Sequence, residues 1–200
     1  MHSYWVMGHF EWVELGLFIF LAVIALVLLA QCRYRRKIVT SSEFKIAASR
    51  KNWHWRTIPE TRLLIIALPL ELLWEIAQFP LYTVWQEGSW SYILYGLAHC
   101  TLGDLIILLV AYWVVALINK DRNWYLNAVV ANGFLFIILG AGYTIYSEIM
   151  NVRIKGTWGY TELMPVVPVI GVGAMPLLQW ILIQPVLLWF MRLTNTTYDE

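Results

Sequence analysis

The chain has 200 residues, of which 60% are hydrophobic and only 14% are charged, and its formal net charge is +1. Soluble domains carry about a quarter charged residues, so this composition argues against an ordinary soluble enzyme and excludes a disordered chain. A near-neutral charge excludes nucleic acid as a partner, and two cysteines are too few for a disulfide framework. The composition is typical of an all-α membrane protein.

Five apolar stretches are each long enough to cross about 30 Å of hydrocarbon as a helix. We number them span 1 to span 5, and they lie at residues 11–31, 63–85, 92–118, 124–146 and 164–191. No loop between them is long enough to form a core of its own. The sequence therefore predicts one domain over residues 1–200, a polytopic bundle of five transmembrane helices in contact with the lipid bilayer.

Basic residues indicate the orientation, because they are retained on the cytoplasmic side. The loop at residues 32–62 carries nine of the fourteen Lys and Arg residues. This predicts a multi-pass membrane protein with its N-terminus outside and its C-terminus inside.

Ionisable side chains inside the predicted spans are the best candidates for function. Placing a charged side chain at the middle of the bilayer costs about 2.5–3.5 kcal/mol, so an ionisable residue found there is first considered as part of a functional site. Span 2 contains Glu71 and Glu75, and span 3 contains His99 and Asp104. At about 1.5 Å of rise per residue, Glu75 is level with His99, and Glu71 with Asp104. A short loop joins the two spans, so these four groups are expected to line one cavity.

Two buried carboxylates one helical turn apart repel each other if both are ionised, so one of them should retain a proton. Beside an imidazole, that group becomes a proton donor. We expect Glu75 to donate the proton, His99 to tune or relay it, and Asp104 and Glu71 to stabilise developing positive charge. The alternative is a static hydrogen-bonded network that holds the helices together.

Metal chemistry is a further alternative at the same position. Glu75, His99 and Asp104 are competent ligands by type, but no metal-binding motif occurs in the sequence. No cofactor is therefore predicted.

A second group of polar residues, which includes Glu148 and Asn151, follows span 4, and prolines and glycines interrupt span 5. Aromatic residues there are also typical of interface anchors, and Gln179 and Gln184 could donate hydrogen bonds from span 5. Gly96 and Gly103 leave room for a ligand or for close helix packing. The predicted substrate-binding residues are Trp74, Gln78, Tyr82, Tyr95, Cys100, Glu148, Asn151, Trp158, Tyr160 and Gln179.

Three strings of residues carry a resemblance to known families: residues 73–82, residues 99–104, and the run from Ser147 through Tyr160 to Pro165. They resemble an uncharacterised family of small proteobacterial membrane proteins, which implies the bacterial inner membrane. More distantly, Trp74 and Glu75 in one span and Asp104 in the next resemble the integral-membrane terpene cyclases. That resemblance implies carboxylic acids that protonate an epoxide or an alkene. A sterol-isomerase-like membrane fold is also loosely similar.

Three functions follow from these observations. The first is an intramembrane enzyme that applies acid–base chemistry to a lipid-like or isoprenoid substrate, as a cyclase or an isomerase. The second is a proton-coupled carrier or a metal-handling protein, for which a homo-oligomer would supply further spans. The third is an accessory subunit of a membrane complex.

Overall fold

The structure is a computed structural model that describes residues 58–196, and all of these belong to one compact unit. Span 1 and nearly all of the basic loop at residues 32–62 lie outside the described residues. The described chain contains four long helices, one short helix and a two-stranded hairpin. The helices are α1 (Pro59–Gln78), α2 (Val84–Glu87), α3 (Trp90–Asn119), α4 (Val129–Glu148) and α5 (Ala174–Thr196).

Shorter elements connect these helices. Single 3₁₀ turns at Phe79–Leu81 and Trp124–Leu126 follow α1 and precede α4, and a π-helical turn at Ile149–Lys155 extends α4. Strands β1 (Val166–Val167) and β2 (Val172–Gly173) pair antiparallel, with Val166 opposite Gly173. This hairpin lies immediately before α5.

Four of the described helical segments are long and apolar enough to cross a membrane, and they correspond to spans 2 to 5. The chain is thus a multi-pass membrane protein on the length and composition of its helices. The count of five spans and the orientation stay predictions.

The four long helices form a bundle in which α1 packs against α3 and α5, and α4 packs against the same two helices. Antiparallel pairing of α1 and α3 follows from two contacts. Glu60 accepts a hydrogen bond from the Trp113 indole at one end, whereas the Phe79 ring lies against Gly96 at the other. Helices α4 and α5 pair in the same sense, since Gly133 meets Leu188 and Gly140 meets Trp180.

The two ends of the bundle differ in how they are closed. We call the end formed by residues 79–89 and 149–173 the loop end. The opposite end, which we call the arginine end, contains residues 120–128. There Arg122 makes a bidentate ion pair with Glu60, with Nε–Oε1 at 2.9 Å and Nη2–Oε2 at 2.5 Å.

Local sequence explains three of the helix boundaries. Pro59 opens α1, where its missing N–H has no partner to lose. The side chain of Ser89 caps α3 by accepting a hydrogen bond from the Tyr92 N–H. Lys120 ends α3 in the left-handed conformation, with φ of 54°.

Three predicted spans have wrong boundaries. Span 2 was predicted to continue to residue 85, but α1 ends at Gln78, and Pro80 lies in the 3₁₀ turn that follows it. Span 4 was predicted to begin at Trp124, but α4 begins at Val129. Span 5 was predicted to begin at Met164, but α5 begins at Ala174. The residues before α5 contain Pro165, Pro168 and Gly171, and they form the β1–β2 hairpin instead.

The apolar core occupies the half of the bundle nearest the arginine end. Its centre is aromatic, with Phe136 packed between Trp124 and Trp180 at ring-centroid distances of 5.6 and 6.1 Å. Trp180 also covers Gly140, where an added Cβ would lie 2.0 Å from the ring. Other buried members include Leu63, Ala67, Leu108, Tyr112, Val115, Leu187 and Met191.

Helix α1 shows that the bundle is inverted relative to a soluble protein. Its exposed face carries Leu68, Leu72, Leu73 and Ile76, while carboxyl and amide side chains are buried. A soluble helix places these two classes the other way round. The arrangement is compatible with lipid contact along the outside of the bundle.

Candidate functional site

One seam of α1 positions most of the candidate site. From Glu60 onwards its buried residues follow one another at intervals of three or four, which places them on one face of the helix. Towards the arginine end this face is mainly apolar, with Leu63 and Ala67, and towards the loop end it carries Glu71, Glu75 and Gln78. The side chains of these last three residues are at most 4% exposed. The seam therefore brings two carboxyl groups and one amide into the bundle interior.

Two amides of α5 hold the Glu71 carboxyl. Gln179 Nε2 donates to Glu71 Oε2 at 2.6 Å, and Gln184 Nε2 donates to Glu71 Oε1 at 3.0 Å. Gln179 Nε2 also donates to Asp104 Oδ2 of α3 at 3.0 Å. One amide thus joins three helices, and both Glu71 oxygens accept a hydrogen bond.

The Glu75 carboxyl lies between α1 and α3. Gln78 Nε2 donates to Glu75 Oε1 at 2.5 Å, and Gln78 Oε1 accepts from the Trp74 indole N–H at 3.1 Å. The carboxyl groups of Glu75 and Asp104 are also hydrogen-bonded to each other. We call the six residues Glu71, Glu75, Gln78, Asp104, Gln179 and Gln184 the acid cluster.

Amides dominate the contacts of the acid cluster. Glutamine amides donate hydrogen bonds to Glu71, Glu75 and Asp104, and the carboxyl groups of Glu75 and Asp104 are hydrogen-bonded to each other. Between residues 58 and 196, no three or more His, Cys, Asp or Glu side chains are grouped so as to hold a metal ion. The metal alternative therefore stays a prediction without support from the geometry.

His99 lies on α3 one turn from Tyr95, and the two rings stack at 5.7 Å with an interplanar angle of 23°. Tyr95 is half exposed and His99 is partly buried. Gln78 and Asp104 contact the Glu75 carboxyl, and the depth estimate also pairs Glu75 with His99. The relay role of His99 stays a prediction.

Cys100 and Gly103 lie beside the acid cluster on α3. Cys100 is partly buried, and its thiol is close enough to Glu75 and Asp104 to interact with their charges. Gly96 packs against the Phe79 ring, as expected for close helix packing. At Gly103, by contrast, an added Cβ would meet no atom of the described chain within 4 Å.

A second acidic centre lies at the loop end. The Tyr160 hydroxyl donates to Glu148 Oε2 at 2.5 Å and accepts from the Gly173 N–H at 2.9 Å. The Glu148 side chain is buried and close enough to Glu75 for their charges to interact. The rings of Tyr82 and Trp158 also belong to this centre. The ring centroid of Tyr82 lies 5.7 Å from that of Tyr160 and 6.4 Å from that of Trp158.

Burial sets the titration behaviour of the two tyrosines. It raises the pKa of Tyr82 well above the ordinary value of 10.0, and the nearby Glu148 charge raises it further. Burial also raises the pKa of Tyr160, and its hydrogen bond to Glu148 acts in the same direction. Both phenols are therefore protonated throughout the physiological range and act as donors.

Backbone and threonine contacts tie the loop end together. Thr83 N donates to the Gly159 carbonyl at 3.0 Å, and Gly159 N donates to the Thr83 hydroxyl at 3.1 Å. Thr161 donates to the Leu81 carbonyl through its N–H at 2.9 Å and its hydroxyl at 3.1 Å. We call these four contacts the loop latch. They join the α1–α3 connection to the α4–α5 connection.

Asn151 has a local role in this segment. Its amide donates to the Ser147 carbonyl at 2.9 Å, and its backbone carbonyl accepts from Thr157 N at 2.8 Å. Asn151 therefore closes the π-helical turn, whereas the Glu148 carboxyl is held by Tyr160.

Three residues that contribute to the site are not among the predicted site residues. Gln184 was noted as a donor but not as a site residue, although an amide inside an apolar helix is itself a signal. Thr83 and Thr161 carry no such signal, because threonine is common in any loop.

No protein-family model, curated protein or solved structure matches this chain. The family resemblances named above therefore stay predictions.

Proposed function

We propose that the protein is an intramembrane enzyme in which the Glu75–Asp104 carboxyl pair donates a proton to a lipid-like or isoprenoid substrate. The hydrogen bond between these two carboxyl groups supports this proposal most directly. Such a bond needs one proton shared between two acids, so the pair carries a proton that it can transfer.

The surrounding amides suit the pair to a proton-transfer cycle. When the proton leaves, both carboxyl groups are anionic, and the amides of Gln78 and Gln179 already donate to them. These fixed donors stabilise the negative charge without reorganisation. The Glu71 carboxylate lies on the same cluster and would stabilise a positive charge on the substrate.

The proposed reaction balances without a cofactor. The proton adds to one carbon of a substrate double bond, and the electron pair of that bond forms the new C–H bond, which leaves a carbocation. A proton is then lost from a neighbouring carbon to the anionic pair, and its C–H electrons form the new double bond. The outcome is an isomer, or a ring if another double bond attacks the carbocation first.

The apolar half of the bundle favours a reaction over transport. A carrier needs its site to communicate with both membrane faces. In the described residues, the space between the acid cluster and the arginine end is filled by buried side chains such as Leu63, Leu108 and Phe136. Of the two ends of the bundle, the acid cluster therefore lies nearer the loop end, where Glu148 and Tyr160 lie, and the buried apolar side chains separate it from the arginine end.

Deuterium uptake tests the proposal without knowledge of the substrate. The purified protein is incubated in D₂O with a total bacterial lipid extract in detergent micelles, and the lipids are then analysed by mass spectrometry. Protonation of a double bond places deuterium on carbon, where it survives back-exchange into water. We expect one or more unsaturated lipids to gain deuterium with the wild-type protein only.

Variants assign the uptake to the carboxyl pair. Glu75→Gln and Asp104→Asn keep the shape of the side chains but remove the shared proton, so uptake should fall by about 10²- to 10⁴-fold. Glu60→Gln is the matched control, because Glu60 is also a buried glutamate of the α1 seam but pairs with Arg122 at the other end. Full uptake in folded Glu75→Gln protein would contradict the proposal, as would its absence from the wild type.

A further inference from the structure

A gap in the packing of α3 lies beside the acid cluster. Gly96, Gly103 and Val110 are spaced seven residues apart, so they lie along nearly the same stripe of the helix. Gly96 is closed by the Phe79 ring, with an added Cβ 2.9 Å from it, and Val110 is only 8% exposed. At Gly103, between them, an added Cβ meets no described atom within 4 Å. Other side chains thus cover this stripe of α3 at Gly96 and at Val110, whereas no described atom covers it at Gly103.

The gap lies directly next to a carboxyl group. Asp104 follows Gly103 in sequence and is partly accessible, although Glu71 and Glu75, with which it interacts, are buried. Across the α1–α3 interface, the outer face of α1 carries the exposed side chains of Leu68 and Leu72. A path along Gly103 therefore has apolar walls on the outside of the bundle and a carboxyl group at its inner end.

A second observation indicates a ligand in the same part of the bundle. Gln184 is 1% exposed, and its Oε1 atom is buried without a hydrogen-bond donor in the described chain. Its Nε2 atom is held by Glu71, which Gln179 links to Asp104. A buried carbonyl without a donor is costly. A ligand that carries a hydroxyl group would remove that cost.

We propose that the gap at Gly103, between α1 and α3, admits the hydrocarbon chain of a membrane-dissolved lipid alcohol, whose hydroxyl donates to Gln184 Oε1. The inference rests on the proposed function and narrows its substrate class. Access is lateral, from the bilayer, because Leu102 next to Gly103 and the outer face of α1 present exposed apolar side chains. The chain is placed against Asp104, so that a double bond along it reaches the carboxyl pair.

Photo-crosslinking tests the access route independently of turnover. The full-length protein in detergent is irradiated with a long-chain prenol that carries a diazirine, and the labelled peptides are mapped by mass spectrometry. We expect labels on α1 and α3 near Gly103. Gly103→Leu fills the gap and should reduce labelling at least tenfold, while Gly103→Ala should give an intermediate loss.

Gly142→Leu is the matched control. Gly142 is also a helical glycine, on α4, and an added Cβ there likewise meets no described atom within 4 Å. The same substitution therefore changes helix propensity and size equally but leaves the α1–α3 gap open, so labelling should persist. Undiminished labelling in Gly103→Leu would overturn the proposed route. Labelling that is absent from α1 and α3 in the wild type would overturn it as well.

Competition tests the hydroxyl contact. The unlabelled prenol should compete with the probe at least tenfold better than a hydrocarbon of equal length, and Gln184→Met should abolish this preference. Equal competition in the wild type would overturn the assignment of a lipid alcohol. If the probe labels the gap but the wild type takes up no deuterium from D₂O, the reaction is wrong and the binding site stands.

Discussion

The two halves of the helical bundle are built from the same four long helices but differ in what they bury. Towards the arginine end the interior is packed with aromatic and aliphatic side chains around Phe136, Trp124 and Leu187. Towards the loop end the interior holds Glu71, Glu75 and their amide partners. Dense apolar packing gains dispersion energy even where lipid replaces water. Burying carboxyl groups is instead unfavourable, and their hydrogen bonds only offset that cost. The apolar half therefore stabilises the fold, whereas the polar half holds the candidate site and stabilises it less.

Helix α1 contains this difference within a single seam. Leu63 and Ala67 are followed by Glu71 and Glu75 at the next two helical repeats, and all four are buried. Variants at the two ends of the bundle should therefore separate stability from activity.

The largest effect on stability is expected in the apolar half. Phe136 is fully buried between Trp124 and Trp180. Phe136→Ala should cost about 3–5 kcal/mol, because it removes these contacts and leaves a cavity. Thermal unfolding in detergent measures the loss, and the fraction that is still folded should keep its deuterium uptake. If the variant unfolds no more easily than the wild type, the assignment of stability to this half is wrong.

A smaller effect is expected for the glutamines of the polar half, and their difference is informative. Gln179→Leu removes the donor to both Glu71 and Asp104 and should cost about 2–4 kcal/mol, because two buried acceptors lose a partner. Gln184→Leu removes one donor but also an unpaired Oε1 atom, so it should cost about 1 kcal/mol or less. Thermal unfolding of both variants in one detergent compares them. Equal losses would show that Gln184 Oε1 has a partner.

An effect between those of the two glutamine variants is expected for Tyr160→Phe at the loop end. Loss of its hydrogen bond to Glu148 should cost about 1–2 kcal/mol at neutral pH. Burial and Glu148 raise the pKa of Tyr160 in the folded protein above 10.0. Its stabilising contribution is therefore complete below the unfolded pKa, and it declines as pH rises above that value towards the folded pKa.

Alkaline unfolding checks the sign of this effect. Above the ordinary tyrosine range, the unfolded chain loses its phenol protons while the folded chain retains them. The wild type should lose stability with rising pH more steeply than Tyr160→Phe, because the variant lacks one of these protons. Parallel pH profiles would mean that Tyr160 titrates normally in the folded state.

The sequence predicted the long helices better than their ends. Span 3, predicted at residues 92–118, agrees closely with α3 at Trp90–Asn119. An unbroken apolar run of this length satisfies its backbone hydrogen bonds in a membrane only as a helix. The start of span 5 was wrong because apolar residues such as Val166 and Val172 occur both in helices and in hairpins. The positions of Pro165, Pro168 and Gly171 decide between the two only once the chain is folded.

The candidate site was predictable to the level of its helices but not of its contacts. Depth and spacing brought Glu71 and Asp104 to one level, and Gln179 joins them in the structure. The hydrogen bond between the Glu75 and Asp104 carboxyl groups depends on how α3 is rotated about its axis relative to α1. His99 and Asp104 are five residues apart and point in different directions from α3, so their spacing does not determine that rotation. The hydrogen bond of Gln184 to Glu71 requires α5 to pack against α1, and the sequence does not indicate which helices are neighbours when they are far apart along the chain.

The loop latch has a consequence for how the chain could be divided. It joins two antiparallel helix pairs, α1–α3 and α4–α5, at the end opposite to residues 120–128, which connect the two pairs covalently. Four hydrogen bonds from Thr83, Gly159 and Thr161, together with the hydrogen bonds of Gln179 to Glu71 and Asp104, cross between the pairs without using that covalent link. Two fragments made by dividing the gene within residues 120–128 and expressed together should therefore reassemble into one complex.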